Sequence, residues 1–258
     1  MMTDFSEEYR LFLATSIEDQ IERYQLVTKK YLEKGYLKGI KTINAGIELN
    51  SLISSLNIEE LDEIGFAEKD KQYLRDGIIF NFDNYQMIFF DQYHWNAIPF
   101  VAKKTNCTCG SARLIIKNSN GLPTLNDPKI TIFDNETWVY EKARVEFSQY
   151  AVCNEPFSYA SIGLLKLAYL YSNNVLHIDG WIATIDNLVL KLLNSRFFNF
   201  NLLPIGPSIE YLGSMCTPVY IDLETALSNS ESCLSSKKVA DFIRDKSCIG
   251  FENVIVEI

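Results

Sequence analysis

The sequence predicts a mixed α/β fold with a central twisted sheet flanked by helices. Residues 145–152 are a run of β-formers, residues 161–171 read as an apolar helix, and residues 175–185 are a second apolar run. A strand, a crossover helix and a second strand make a βαβ unit, whose strands run parallel. Near-continuous apolar runs are typical of strands that are covered on both faces. We therefore expect residues 145–152 and 175–185 to be neighbouring parallel strands.

The composition is that of a globular chain. Of its 258 residues, 47% are hydrophobic and 22% are charged, as is usual in globular proteins. A chain of this length can bury a full hydrophobic core. No run approaches the roughly 20 apolar residues of a membrane span. The acidic first residues lack the apolar region of a secretory signal. These observations predict a cytoplasmic protein with no integral membrane segment.

Charge and cysteine content argue against several other classes of protein. A formal net charge of −9 disfavours broad nucleic-acid binding, so we expect no nucleic-acid partner. In a cytoplasmic protein the six cysteines are expected to be free thiols. Cys107 and Cys109 have an unusual spacing for zinc, and the chain has only two histidines, so we predict no metal site.

The N-terminal part begins with a predicted strand over residues 9–14 and a long helix. Ser16 is placed to cap this helix, and Gly35 stands where a C-cap glycine belongs. Residues 42–92 are predicted to be a helical insertion in which residues 78–90 fit either a strand or a buried helix. No repeat or linker divides the chain, so we interpret residues 1–258 as one domain.

The lysines at the end of the first helix have two interpretations. Lys29, Lys30 and Lys34 crowd its last turns, and Lys38 and Lys41 follow. They fit a solvated helix end that complements the helix dipole. They also fit a basic docking surface on an otherwise acidic protein.

The remaining elements follow from local patterns and turn residues. Residues 98–103 and 110–116 predict a hairpin. The other predicted elements are a helix over residues 188–193 capped by Asp186, strands over residues 197–203 and 218–223, a helix over residues 235–246 and a β-like tail over residues 254–258.

Glu146 is the first candidate for chemistry. It shares one face of its strand with Ser148, because side chains on a strand alternate with period two. A carboxylate in such a strand must find a partner, reach solvent or take part in a reaction. Structural pairing with Arg144, Lys142 or Arg113 is the alternative to a catalytic role.

Five short motifs, in order along the chain, resemble those of one protein family. They are residues 24–36, residues 110–115 ending in Arg-Leu-Ile, the loop 121–123, the strand 145–152, and residues 205–223. They resemble the bacterial N-acyl amino acid synthases, relatives of the acyl-homoserine lactone autoinducer synthases within the GNAT-like acyltransferases. The resemblance implies a GNAT-like fold and transfer of a fatty acyl group from a thioester to the amine of an amino acid or similar small molecule.

The resemblance also implies roles for particular residues. Glu146 is the expected general base, or the group that orients the amine. Arg113 is expected to hold a substrate carboxylate in a bidentate grip or to form a structural ion pair. The other expected substrate-binding residues are Ser148, Gln149, Tyr150, Val152 and Trp181.

Two departures from the family keep alternatives open. Gln149 stands where these families usually have arginine, and the acidic cluster of the lactone synthases has no clear match in residues 60–95. The second departure argues against a lactone-type signal synthase, which is the alternative within the same class. The first leaves open a non-catalytic relative that binds a lipid or a partner protein.

The loop after the first strand of the βαβ unit bears on the acyl donor. Enzymes of the GNAT type that use acyl-coenzyme A carry a glycine-containing loop there, whose N–H groups cradle the pyrophosphate. Residues 153–161 have no glycine, and they include Pro156, which has no N–H, and Glu155, which would repel a phosphate. We therefore predict an acyl-phosphopantetheine thioester on an acyl carrier protein as donor, with acyl-coenzyme A less favoured and no permanently bound cofactor. The acidic carrier would be docked by the lysines at the end of the first helix and just after it, or by Lys103 and Lys104. The first set is Lys29, Lys30, Lys34, Lys38 and Lys41.

Overall fold

The protein is built from helices and from strands, most of which belong to one large mixed sheet. The structure is a computed structural model that describes residues 8–82, 86–153 and 158–258. The strands are β1 (Tyr9–Leu13), β2 (Lys41–Asn44), β3 (Ile78–Asn81), β4 (Met87–Phe90), β5 (Ala97–Lys104), β6 (Cys107–Ile116), β7 (Val145–Val152), β8 (Gly180–Asp186), β9 (Ile209–Tyr211), β10 (Ser214–Asp222) and β11 (Val254–Val256). The helices are α1 (Ile17–Lys34), α2 (Leu49–Ser54), α3 (Glu60–Glu63), α4 (Glu68–Lys71), α5 (Pro123–Asn126), α6 (Val139–Lys142), α7 (Tyr159–Tyr171), α8 (Asn187–Leu193), α9 (Leu223–Glu231) and α10 (Lys237–Ile243).

In the described ranges the strands form an eight-stranded sheet in the order β11-β1-β5-β6-β7-β8-β10-β9 and a three-stranded sheet in the order β2-β3-β4. In the large sheet β7 and β8 are parallel, as are β1 and β11, while the other neighbours are antiparallel. The main core lies between this sheet and α7, α9 and α10. The predicted mixed sheet flanked by helices is confirmed.

The βαβ unit β7-α7-β8 organises the middle of the sheet. The two strands are parallel neighbours, as predicted, but their register holds one residue pair, Glu146 opposite Ile182. Beyond that pair the strands diverge, and the rings of Phe147 and Trp181 stack with centroids 5.0 Å apart. A cavity therefore opens between the two strands.

The second strand of this unit starts later than predicted. Residues Ser172–Leu176 continue α7 as a π-helical turn, and His177 follows with a left-handed φ of 52°. His177 is exposed, and its Nδ1 lies 3.1 Å from the carbonyl oxygen of Asn173. The predicted strand over residues 175–185 is therefore wrong at its start, because Val175 and its neighbours belong to the end of the helix.

Helix α1 lies between the two sheets, in contact with β6, β7 and β4. Its predicted caps are confirmed: Ser16 accepts a hydrogen bond from the N–H of Asp19, and Gly35 has a left-handed φ of 75°. Burying one face of α1 against β6 and β7 places its side chains next to the divergence of β7 and β8. Tyr31, near the end of the helix, lines the cavity.

The insertion predicted over residues 42–92 contains short helices and, in addition, the small sheet. Residues 78–90 form β3 and β4, which pair antiparallel, and β3 also pairs parallel with β2. Phe80, Phe82 and Phe90 are buried in a core of their own with α2 and α3 residues. The ambiguity between strand and helix is therefore resolved in favour of strands.

The C-terminal third differs from the predictions at several elements. Residues 197–203 are not a strand, since Asn199 and Asn201 both have a left-handed φ of 53°. Strand β9 and helix α9 were not predicted, and β10 begins at Ser214 rather than at residue 218. Helix α8 is confirmed, with Asp186 accepting from the N–H of Leu188 as its N-cap.

Candidate active site

The cavity between β7 and β8 has a volume of about 840 Å³. One part of its wall is apolar and is formed by Phe147, Leu165, Trp181, Val189, Leu193, Phe200 and Ile221. Another part is polar. It is formed by the buried Asp91, Tyr93, Arg113, Glu146 and Gln149 and the half-buried Ser148. Exposed lining residues mark the opening to solvent, and the cationic ones are Lys38, Lys41, Arg75 and Lys129. The arrangement suits a substrate with a long apolar chain and a polar reacting end.

Glu146 lies in the polar wall with 4% of its surface exposed. Its Oε2 accepts a 2.8 Å hydrogen bond from the N–H of Thr124, at the start of α5. Burial raises the pKa of Glu146 to about 8, and the hydrogen bonds of Thr124 only partly offset this. A carboxylate with a pKa near 8 is matched to removing a proton from an amine at neutral pH.

Arg113 and Asp91 form a buried ion pair beside Glu146. The guanidinium donates to both Asp91 oxygens, at 2.9 and 2.6 Å, and its Nε donates to Ser148 Oγ at 2.9 Å. Burial would lower the pKa of Arg113, but the Asp91 carboxylate outweighs burial and raises it. The fork of Arg113 is therefore already occupied, so the structural ion pair, rather than a grip on a substrate carboxylate, is the alternative that the geometry supports.

Strand β7 carries a bulge at Gln149. Its register with β6 shifts between Ser111 opposite Ala151 and Arg113 opposite Ser148, so two residues of β7 face one of β6. Gln149 has a left-handed φ of 48°, which is uncommon for a residue other than glycine. The bulge turns the side chain of Gln149 towards α1, where its Oε1 accepts a 2.7 Å hydrogen bond from Arg23. Bulges commonly re-aim a side chain at a binding or catalytic site.

Solved structures share this arrangement of sheet and helices over nearly the whole chain. FeeM, an N-acyl amino acid synthase from uncultured soil microbes, matches with a TM-score of 0.55 and 12% identity, covering 91% of this chain and 98% of that one. BjaI, a CoA-dependent acyl-homoserine lactone synthase solved with SAM and isopentyl-CoA, matches with a TM-score of 0.52 and 12% identity, covering 98% and 94%. The chain has the fold of these synthases. No protein-family model matches the sequence, and a search of the curated proteins gives no match.

The fold of the synthases is the one that the five motifs implied, and the predicted GNAT-like fold is confirmed. At 12% identity the agreement concerns the path of the chain. The chemistry of this protein must be argued from its own side chains.

The structure brings most of the predicted site residues together. Glu146, Arg113, Ser148, Gln149, Tyr150 and Trp181 all line the cavity. Tyr150 donates from its hydroxyl to the carbonyl of Ser161 on α7, 3.0 Å away. Val152 does not belong to the described lining and instead packs against the main core. Its predicted substrate contact has no support in this geometry.

Three of the predicted docking lysines lie apart from the cavity. Lys29, Lys30 and Lys34 are not among its described lining residues, and Lys30 pairs with Glu33 at 2.8 Å. Lys38 and Lys41, which follow them, do line it.

The alternative docking residue Lys103 is engaged within the molecule. It pairs with Asp19 at 2.6 Å and with Glu22 at 2.9 Å. Lys103 is therefore already neutralised.

Residues 154–157, on which the argument about the pyrophosphate cradle depends, lie outside the described residues.

Three residues of the site were missed in the sequence. Asp91 lies directly after β4, Thr124 in α5, and Arg23 in the middle of α1. Arg23 carried a signal, since it is a charged residue among apolar ones on the inward face of an amphipathic helix. Asp91 and Thr124 carried none, because only folding brings them to β6 and β7.

His94, one of the two histidines, lies outside the described cavity lining. His94 lies next to Tyr24, whose hydroxyl is 2.7 Å from its Nδ1, and burial lowers the pKa of His94 to about 4. No group of three or more His, Cys, Asp or Glu side chains there is arranged to hold a metal ion. None of the described helices is both long enough and apolar enough to cross a lipid bilayer.

Proposed function

We propose that the protein is an N-acyltransferase that moves a fatty acyl group from a phosphopantetheine thioester to the amine of an amino acid or related small molecule. The observation that carries the proposal is Glu146, a buried carboxylate with a raised pKa at the point where β7 and β8 diverge. The apolar wall of the cavity lies next to it and suits a fatty chain. The shared fold of FeeM and BjaI is consistent with this chemistry.

The proposed reaction uses groups of this chain at each proton transfer. The amine nitrogen attacks the thioester carbonyl carbon, and the carbonyl electron pair moves onto oxygen to give a tetrahedral intermediate. Glu146 accepts the proton that the nitrogen loses. The oxygen electrons then re-form the carbonyl, the C–S bond breaks, and the thiolate takes the proton from Glu146. The products are an N-acyl amide and a free thiol.

The first test is made in living cells and with purified protein. We expect lipid extracts of cells that express the protein to contain an N-acyl amine that is absent from cells with an empty vector, as measured by mass spectrometry. Its fragments would identify both the acyl chain and the acceptor. A purified protein that carries a fatty acyl group but forms no N-acyl amine with any tested amine would instead support a non-catalytic lipid-binding relative.

For the donor we propose an acyl carrier protein. Within residues 153–161 the sequence has no glycine, and it has a proline that offers no N–H to a pyrophosphate. Lys38 and Lys41 line the cavity opening, close in sequence to Lys29 and Lys34 at the exposed end of α1. Acidic carrier proteins are attracted by such a group of cations even when the whole protein is acidic. BjaI is described as CoA-dependent, so coenzyme A is the donor to compare.

The donor is tested by delivering one acyl chain on each carrier. We expect kcat/KM to be higher with the carrier protein and to fall as salt rises, because electrostatic attraction is screened. The variant Lys38→Ala/Lys41→Ala should reduce use of the carrier protein. The matched control is Lys191→Ala/Lys238→Ala, which removes two charges at exposed positions outside the described cavity lining. Equal or better use of acyl-coenzyme A, together with a carrier reaction that is insensitive to salt, would contradict the proposal.

A further inference from the structure

A buried cation lies behind the polar wall of the cavity without a carboxylate partner in the described ranges. Arg23 on α1 has 1% of its surface exposed. Its Nε donates to Ser111 Oγ at 3.3 Å, and its Nη2 donates to Gln149 Oε1 at 2.7 Å. The guanidinium also lies 4.4 Å from the centre of the Tyr24 ring. All three neighbours are uncharged, and burial lowers the pKa of Arg23.

Gln149 contacts both this cation and the cavity. Its side chain is 4% exposed, and the residue is part of the cavity lining. Because an arginine can only donate, the Oε1 of Gln149 must face Arg23, and this fixes the orientation of the amide. The Nε2 is buried and has no hydrogen-bond partner in the described structure. Buried donors in native proteins are almost always paired, so this one is expected to have a partner outside the chain.

The charge of Arg23 and the unpaired donor of Gln149 strengthen each other. A guanidinium that donates to the oxygen of an amide draws electron density from it and makes its N–H groups better donors. The positive charge of Arg23 is thereby presented to the cavity through Gln149. The other buried arginine of the site, Arg113, does not act in this way, since Asp91 neutralises it.

We propose that Gln149 Nε2, with Arg23 behind it, binds a negatively charged oxygen atom of the substrate. This inference rests on the proposed N-acyl transfer. Two oxygen atoms have the required chemistry: the carboxylate of an amino-acid acceptor, and the thioester carbonyl oxygen, which becomes anionic in the tetrahedral intermediate. A donor that is oriented before the substrate arrives stabilises either charge without reorganisation.

The test is Gln149→Glu, which keeps the shape of the side chain and lets Arg23 pair with a carboxylate, but removes the donor. We expect kcat/KM to fall by roughly 10²–10³, the range for losing one donor to a developing oxyanion. If the oxygen belongs to the thioester, kcat falls equally for an amino acid and for the matching amine without a carboxylate. If it belongs to the acceptor, KM rises for the amino acid and stays unchanged for the amine.

The exposed Gln72→Glu adds the same charge outside the described cavity lining and is the matched control. Gln149→Met removes the donor without adding a charge and should lower kcat/KM in the same direction. A purely structural role for Gln149 would leave kcat and KM unchanged in both Gln149 variants, and that result would overturn the proposal.

A stability measurement separates this proposal from the proposed function. A carboxylate at position 149 gives the buried Arg23 a counter-charge, so Gln149→Glu should unfold at a higher temperature than the wild type. A lower unfolding temperature would contradict the assignment of Arg23 as an unpaired cation, whether or not an activity is found. A wild-type protein that acylates no amine would defeat the proposed function alone.

Discussion

Replacing Glu146 by glutamine should lower kcat by roughly 10²–10⁴, the usual range for losing a general base. Glutamine has nearly the same shape, and its Oε1 can still accept from the N–H of Thr124, as Glu146 does at 2.8 Å. The fold should therefore be kept. Steady-state kinetics with a fixed acyl donor measure the effect, and thermal unfolding checks the fold.

The pH dependence of the reaction rate tests whether Glu146 acts as a base. With a pKa of about 8, Glu146 is mostly protonated at pH 6 and becomes the active base as pH rises. The rate ratio of wild type to Glu146→Gln cancels the ionisation of the acceptor amine. That ratio should rise about tenfold per pH unit below the pKa and level off above it.

The exposed Glu141 on α6 offers the matched control, since Glu141→Gln makes the same change outside the described cavity lining. Its rates and pH profile should match the wild type. A folded Glu146→Gln protein with near-normal turnover would remove Glu146 from the mechanism.

Replacing Asp91 by alanine should destabilise the protein by roughly 3–5 kcal/mol, because it leaves a buried guanidinium without its counter-charge. Arg113 is 3% exposed, and both of its terminal nitrogens donate to Asp91. Asp91 also accepts from the N–H of Tyr93, so its loss loosens the turn after β4. Urea unfolding at constant pH measures the change in the free energy of unfolding.

Two further variants make this test specific. Asp62→Ala breaks an ion pair with Lys71 whose Asp62 side chain is 51% exposed, and exposed pairs of this kind are worth about 0–1 kcal/mol. The double variant Asp91→Ala/Arg113→Met removes both charges and should recover much of the lost stability. A cost for Asp91→Ala no larger than that for Asp62→Ala would show that the pair is not the buried contact described.

Errors in the predicted elements have local physical causes. Residues 197–203 have the composition of a strand, but Asn199 and Asn201 take left-handed conformations, which asparagine tolerates better than most residues. The apolar residues from Val175 onward resemble a strand start, but they continue α7 through a π-helical turn. A short apolar run does not distinguish these outcomes.

Local sequence patterns were enough to predict the βαβ unit, the capped helix α1, the β5-β6 hairpin and the position of Glu146 on β7. Each of these depends on residues close together in the chain: an apolar period, a capping serine or glycine, or a turn. The five motifs extended this to the fold as a whole, which the structures of FeeM and BjaI share.

The surroundings of Glu146 depend on contacts between residues far apart in the chain. Asp91 meets Arg113 across 22 positions of the chain, and Arg23 meets Gln149 across 126. No sequence pattern predicts either contact, because each forms only when α1 and the insertion pack against β6 and β7. Burial by that packing also raises the pKa of Glu146 and leaves the Nε2 of Gln149 without a hydrogen-bond partner in the described structure. Burial of this kind cannot be read from a local sequence pattern.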